Sequence, residues 1–85
     1  MRSITREMRG IPFFLLQEYL VELGGALEGD NLVRGDGWSV QMTKMEPYKI
    51  YSLQVGQTRL EMELEERVAD DFLKRFAMKT LRAGA

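Results

Sequence analysis

At 85 residues and 45% hydrophobic content, the chain has the size and composition of one folded domain, and intrinsic disorder is not expected. It holds neither cysteine nor histidine, which excludes disulfides, thiolate metal sites, cysteine nucleophiles and the commonest neutral-pH base. Twelve basic against thirteen acidic residues leave a net charge of −1, without the basic excess that phosphate contacts demand, so no nucleic-acid partner is expected.

In chain order, residues 2–9 set Ile4 and Met8 among Arg2, Arg6, Arg9 and Glu7, the pattern of a half-exposed strand. The opening MRSITREMRG lacks an apolar core, so no signal peptide is expected there. Pro12 suits the first residue of a helix, where its missing N–H costs nothing. Phe13, Leu16, Leu20 and Leu23 then share one helical stripe opposite Glu18 and Glu22, and Phe14, Leu15 and Tyr19 widen it. So broad an apolar face predicts a helix that is largely buried or that also touches a partner. Gly24 suits its C-terminal cap. The longest apolar run, Ile11 to Leu16, falls far short of the ~20 residues of a membrane span, so no membrane partner is expected.

Residues 26–34 read as one strand or as a bulged pair, with Asp30-Asn31 the irregular point. Trp38, Val40 and Met42 alternate with Ser39, Gln41 and Thr43. Glu46-Pro47 predicts a turn. In the strand that follows, Tyr51, Leu53 and Val55 are expected on the core face, with Tyr48, Ile50, Ser52 and Gln54 on the open one. Gly56-Gln57 predicts a two-residue hairpin. Leu60, Met62 and Leu64 then alternate with Arg59, Glu61, Glu63 and Glu65. A second helix is expected over about 65–81, burying Val68, Ala69, Phe72, Leu73 and Phe76. Glu66, Asp70 and Asp71 load its start and Lys74, Arg75, Lys79 and Arg82 its end, which complements the helix dipole. The fold class is therefore α+β, a single domain over 1–85 in the order β-α-β-β-β-β-α. An antiparallel sheet of four to five strands carries two helices on one face, in two layers.

Chemistry-bearing patterns are few. Arg34-Gly35-Asp36 has the form of an adhesion tripeptide, but flanked by Gly37 it reads as a hairpin corner that delivers Trp38 to the core. Glu61, Glu63, Glu65, Glu66, Asp70 and Asp71 read as a wet sheet face and a helix start rather than a cation site. No cofactor and no metal are expected. Arg2, Arg6 and Arg9 are expected to pair with Glu61 and Glu63 on a neighbouring strand. Trp38 and Tyr51, with Arg2 and Arg6, are candidate contacts for a small ligand. Tyr48 and Ile50 beside Met45 would form an exposed apolar patch, the candidate interface of a homodimer. High Glu and Arg without Cys lean towards a thermophilic source.

The segments GIPFFLLQEYLVELGG, GDGWSVQM and LEMELEERVADDFLKRF resemble a small bacterial domain of uncharacterised function. In that family the domain can follow a sulfur-carrier-related domain similar to the small subunit of molybdopterin synthase. The likeness covers nearly the whole chain. It implies one half of a TATA-binding-protein-like fold. Sulfur carriers of that group end in Gly-Gly, whereas this sequence ends Gly84-Ala85, so a carrier role for the chain itself is not expected. DNA binding is not expected either, because the sheet carries Glu61 and Glu63. The leading expectation is a non-catalytic, cytoplasmic interaction domain that self-associates. The alternative is a small-ligand-binding domain linked to sulfur-carrier or molybdenum-cofactor metabolism.

Overall fold

The computed structural model describes residues 1–82. The sheet grows from the strand with the strictest alternation, β5 (Leu53–Leu64). Leu60, Met62 and Leu64 are buried, while Glu61 and Glu63 between them are exposed. One side of β5 pairs with β1 (Arg2–Arg9), from Arg2↔Leu64 to Arg9↔Gln57. The other side pairs with β4 (Trp38–Ile50), from Trp38↔Leu64 to Ile50↔Leu53. β3 (Leu32–Gly35) and β2 (Ala26–Glu28) complete a five-stranded antiparallel sheet in the order β1-β5-β4-β3-β2. The helices are α1 (Phe13–Glu22) and α2 (Glu66–Arg82). Both contribute to one core with the inward residues of the sheet. This is the expected α+β layout.

Local chemistry fixes the helix ends. Pro12 sits just outside α1 as its N-cap, one residue earlier than a first helical position. At the other end the Gly25 N–H donates to the Leu20 carbonyl and the Gly24 N–H to that of Val21, the paired bonds of a Schellman cap. α1 buries Leu16 and Leu20, and its C-cap Leu23 is buried beside them; α2 buries Ala69, Phe72 and Phe76.

Three turn assignments need correction. Residues 26–34 are neither one strand nor a bulged pair. They form a short hairpin, β2 and β3, about Gly29–Asn31. Glu46-Pro47 is not a turn; it is a β-bulge inside β4, facing Gly56 across the pair. The bulge leaves Pro47, which has no N–H, outside the regular ladder. The hairpin turn is not Gly56-Gln57 but Tyr51-Ser52, where Tyr51 takes φ 54°. Moving the turn changes a face. Ile50 lies opposite Leu53 and Tyr48 opposite Val55, so Leu53 and Val55 share the face of Tyr48 and Ile50 rather than the core.

The Arg34–Trp38 corner is scaffold. Trp38 is buried with its ring 4.6 Å from that of Phe72, which stacks on Phe76 at 6.2 Å. The indole lies so close over Gly35 that a Cβ there would overlap it. Gly37 has φ +84°, and a Cβ on it would come within 2.9 Å of the Arg67 guanidinium and 3.2 Å of Val68. Both charged groups of the tripeptide are held by this chain. Asp36 accepts from Arg67 at 2.9 Å, and Arg34 pairs with Glu28 at 3.1 Å. The hydrogen bond to Asp36, then that to Glu65, raises the pKa of Arg67 above its ordinary value. The Gly37 carbonyl also accepts the Glu65 N–H at 2.8 Å, which ties the corner to the start of α2.

The basic residues of β1 do not pair with Glu61 and Glu63. Arg2 turns to the helix layer and donates to Glu66 at 2.8 Å and Asp70 at 3.0 Å. Asp70 is thereby drawn to β1, while Asp71 pairs with Arg75 at 3.8 Å within α2. Lys79 of α2 reaches Glu22 of α1 at 3.2 Å. These pairs face water, so each contributes only ~0–1 kcal/mol. Apolar burial carries the fold.

Two outcomes follow for thermal unfolding. Gly35→Ala and Gly37→Val should each destabilise by about 1–3 kcal/mol, through overpacking on Trp38 and through strained positive φ respectively. Arg34→Ala should stay within about 1 kcal/mol of the parent. A harmless Gly37→Val would remove the corner assignment. Phe72→Ala, which opens a cavity beside Trp38, should cost about 3–5 kcal/mol, measured as a loss in denaturant midpoint at unchanged m.

Candidate functional site

β4 and β5 outrun their neighbours. β3 leaves β4 at the Leu32↔Gln41 pair, followed by one bond from the Met42 N–H to the Asn31 carbonyl. β1 leaves β5 at Arg9↔Gln57, followed by one bond from the Gly10 N–H to the Gly56 carbonyl. Residues 46–55 therefore continue as a two-stranded arm, and no other described strand pairs with either of its long edges. The molecule measures 44 × 25 × 21 Å, and its radius of gyration is 12.9 Å. A compact chain of this length would give about 12 Å.

The base of the arm is stitched. Arg9 Nε donates to Gln57 Oε1 at 3.0 Å, and Gln57 Nε2 donates to the Glu46 carbonyl at 3.0 Å. The Arg9 guanidinium also lies 4.1 Å over the Tyr48 ring. Beyond this base the arm is apolar and bare. Tyr48 and Ile50 are exposed, Leu53 is 67% exposed, and Tyr51 at the tip is fully exposed. An isolated two-stranded ribbon is marginal in water. Lys44 and Lys49 lie on the opposite face of the ribbon, and Glu46 sits in the bulge between them.

The arm holds the whole candidate interface, with Met45 half-buried at its base and Tyr48 and Ile50 farther out. The candidate ligand contacts do not meet. Trp38 is buried at the Leu64 end of the sheet, Tyr51 caps the opposite end, Arg2 is engaged by α2, and Arg6 lies exposed on β1. Leu53 and Val55 were not legible as part of the surface. Their signal was that a continuous strand over 48–55 would carry apolar residues on both faces, which a fold-back at Tyr51-Ser52 resolves. Among the described residues no three acidic side chains are placed to share a metal ion. The Gly84-Ala85 end lies outside the described residues.

A second bare apolar surface lies between α1 and the edge strand β2. It is a groove of about 400 Å³ lined by Phe14, Gln17, Glu18, Val21, Glu22 and Leu27. Gln17 Nε2 donates to the Asp30 carbonyl at 2.7 Å and steadies its floor. The broad apolar face of the first helix was its sequence signal.

Because Arg9 clamps the arm through Tyr48 and Gln57, Arg9→Ala should loosen it locally. Amides of residues 48–55 should exchange faster by about 2–5-fold, as expected for loss of an exposed cation–π contact of ~0.5–1 kcal/mol, with little change in melting temperature. Unchanged exchange there would show that the clamp does not order the arm.

No helix among the described residues is long and apolar enough to cross a membrane. Among curated proteins nothing matches the chain. A family model described as archaeal MoaD-like protein matches residues 4–85. That span takes in both helices, the sheet and the arm, and the chain belongs to the archaeal MoaD-like protein family.

Proposed function

We propose that this protein is a non-catalytic, cytoplasmic interaction domain of a sulfur-carrier-related system, and that it self-associates through the β4–β5 arm. The observation that carries this reading is the arm itself. Ile50, Tyr51 and Leu53 stand exposed on a ribbon that none of the described residues covers. Membership of a MoaD-like family supports the sulfur-carrier link. The TATA-binding-protein-like topology, and a position following a carrier domain, belong to the same proposal. They would give the domain the task of joining copies or partners rather than performing chemistry.

Sedimentation velocity across a micromolar concentration series tests it. The expected result is mass above the monomer, with Ile50→Asp weakening association by at least about tenfold, equivalent to ~1.4 kcal/mol. A strict monomer, unchanged by Ile50→Asp, would rule out self-association through the arm.

The alternative is small-ligand binding within the same metabolism. The α1/β2 groove favours it, since about 400 Å³ lies in the range of small-molecule sites. Native mass spectrometry of freshly purified protein would then show a retained mass that Phe14→Asp abolishes.

A further inference from the structure

The two long edges of the arm differ. Along the β4 edge stand Lys44, Glu46, Pro47 and Lys49, and the bulge interrupts the ladder there. Charge, proline and a bulge are the devices that keep an edge strand from pairing with another chain. The β5 edge has none of them. It reads Leu53-Gln54-Val55, uncharged and in register with β4. The Gly56 carbonyl faces β1, where it accepts the Gly10 N–H at 3.0 Å. Alternate residues of a strand present their N–H and C=O to the same edge, so Gln54 offers both groups on this side. No described strand takes them, because β1 ends at Arg9 and the chain turns away at Gly10, with φ +83°. Its departure leaves an apolar recess of about 390 Å³ between Gly10, Ile11 and Pro12 and the Gln54–Gly56 edge.

We infer that the β5 arm edges of two copies pair antiparallel about Leu53, and that Tyr51 of each copy enters the Gly10–Pro12 recess of the other. This rests on the reading of the arm as a contact surface and names its edge, register and counterpart. Three constraints set the register. Gly10 fills the position opposite Gly56, so a second strand reaches no farther than Val55. That strand itself reverses at Tyr51. Facing side chains of an antiparallel pair share one face of the sheet, which for two identical strands requires centring on a residue. The longest pairing that meets all three sets Leu53 against Leu53, Ser52 against Gln54 and Tyr51 against Val55. Tyr51, fully exposed at the tip, then stands at the recess of the other copy. It does not reach its own, because four residues of strand, about 13 Å, separate it from Val55. Charge favours a second copy as the occupant. The paired edges are uncharged, so a charged strand would find no counter-charge there. Lys49 lies on β4, so the two copies of it stand three strand spacings apart, about 14 Å, beyond the screening length at physiological salt. The pairing also joins two ribbons, each marginal in water, into one four-stranded sheet. Both copies use the same edge, so the contact is isologous and closes at a dimer.

A cysteine at the two-fold axis tests this, since the chain has none of its own. Leu53 is 67% exposed, so Leu53→Cys leaves the core intact. Facing positions of a non-hydrogen-bonded pair lie about 4.5 Å apart at Cα, within disulfide range. Mild air oxidation of Leu53→Cys at micromolar concentration should yield a disulfide-linked dimer, while Ile50→Cys, exposed on β4 one strand farther out, should crosslink far more slowly. Gln54→Pro removes the free edge N–H and spares the β4 ladder. With native circular dichroism verified, it should associate at least about tenfold more weakly than the parent in sedimentation velocity, equivalent to ~1.4 kcal/mol. A parent that dimerises while Leu53→Cys does not crosslink, or while Gln54→Pro associates as the parent does, overturns edge pairing and leaves the arm as a contact surface. Equal crosslinking rates for Ile50→Cys and Leu53→Cys, or parent species larger than a dimer, overturn it in the same way. A strictly monomeric parent overturns both. Should Gln54→Pro fail to fold, Tyr51→Asp, at a positive φ that Asp tolerates, gives the second readout; association equal to the parent's overturns the docking of the tip.

Discussion

Strands of thirteen and twelve residues cannot be covered by neighbours of eight and four, and this mismatch in length shapes the molecule. The backbone of β4 and β5 is satisfied along its inner half by β1 and β3. Along the outer half each strand has only the other. Edge groups there meet water, and the apolar side chains have no second layer above them among the described residues, because they lie on the sheet face opposite the helices. The bulge at Glu46-Pro47 marks the boundary. It admits a proline and adds local twist at the point where the arm leaves the body.

The inner half must therefore be rigid enough to hold the arm. Trp38 begins β4 and is fixed by the Phe72–Phe76 stack, by Gly35 beneath it, and by the bond from Glu65 to the Gly37 carbonyl. The corner, the strand and the helix start are thus one packed unit. Surface ion pairs run around it without carrying it. Arg2 and Arg67 connect α2 to β1 and to the corner, but both are solvated, and their partners are exposed carboxylates.

Charge is largely paired within the fold. Glu65, Glu66, Asp70 and Asp71 are met by Arg67, Arg2 and Arg75, and Glu7 by Arg59. The net charge of −1 reflects this balance.

Alternation and helical spacing in the sequence were enough to determine the order of elements, the buried faces of both helices, the burial of Trp38 and the wet face of β5, because each depends on a local period of 2 or 3.6 residues. Pairing was not local. The sequence placed a turn at Gly56-Gln57, where turn chemistry is strong, and none at Tyr51-Ser52, where it is weak. Cross-strand register overrode that preference: once Trp38 lies opposite Leu64, the bulge and the strand lengths put the reversal at Tyr51. That single shift moved Leu53 and Val55 to the face of Tyr48 and Ile50 and turned a small patch into an arm. The groove is likewise tertiary, since Phe14 and Leu27 meet only after β2 folds against β3 beneath α1. Local periods belong to the sequence; register and juxtaposition belong to the assembled sheet, where distant backbone partners compete for the same hydrogen bonds.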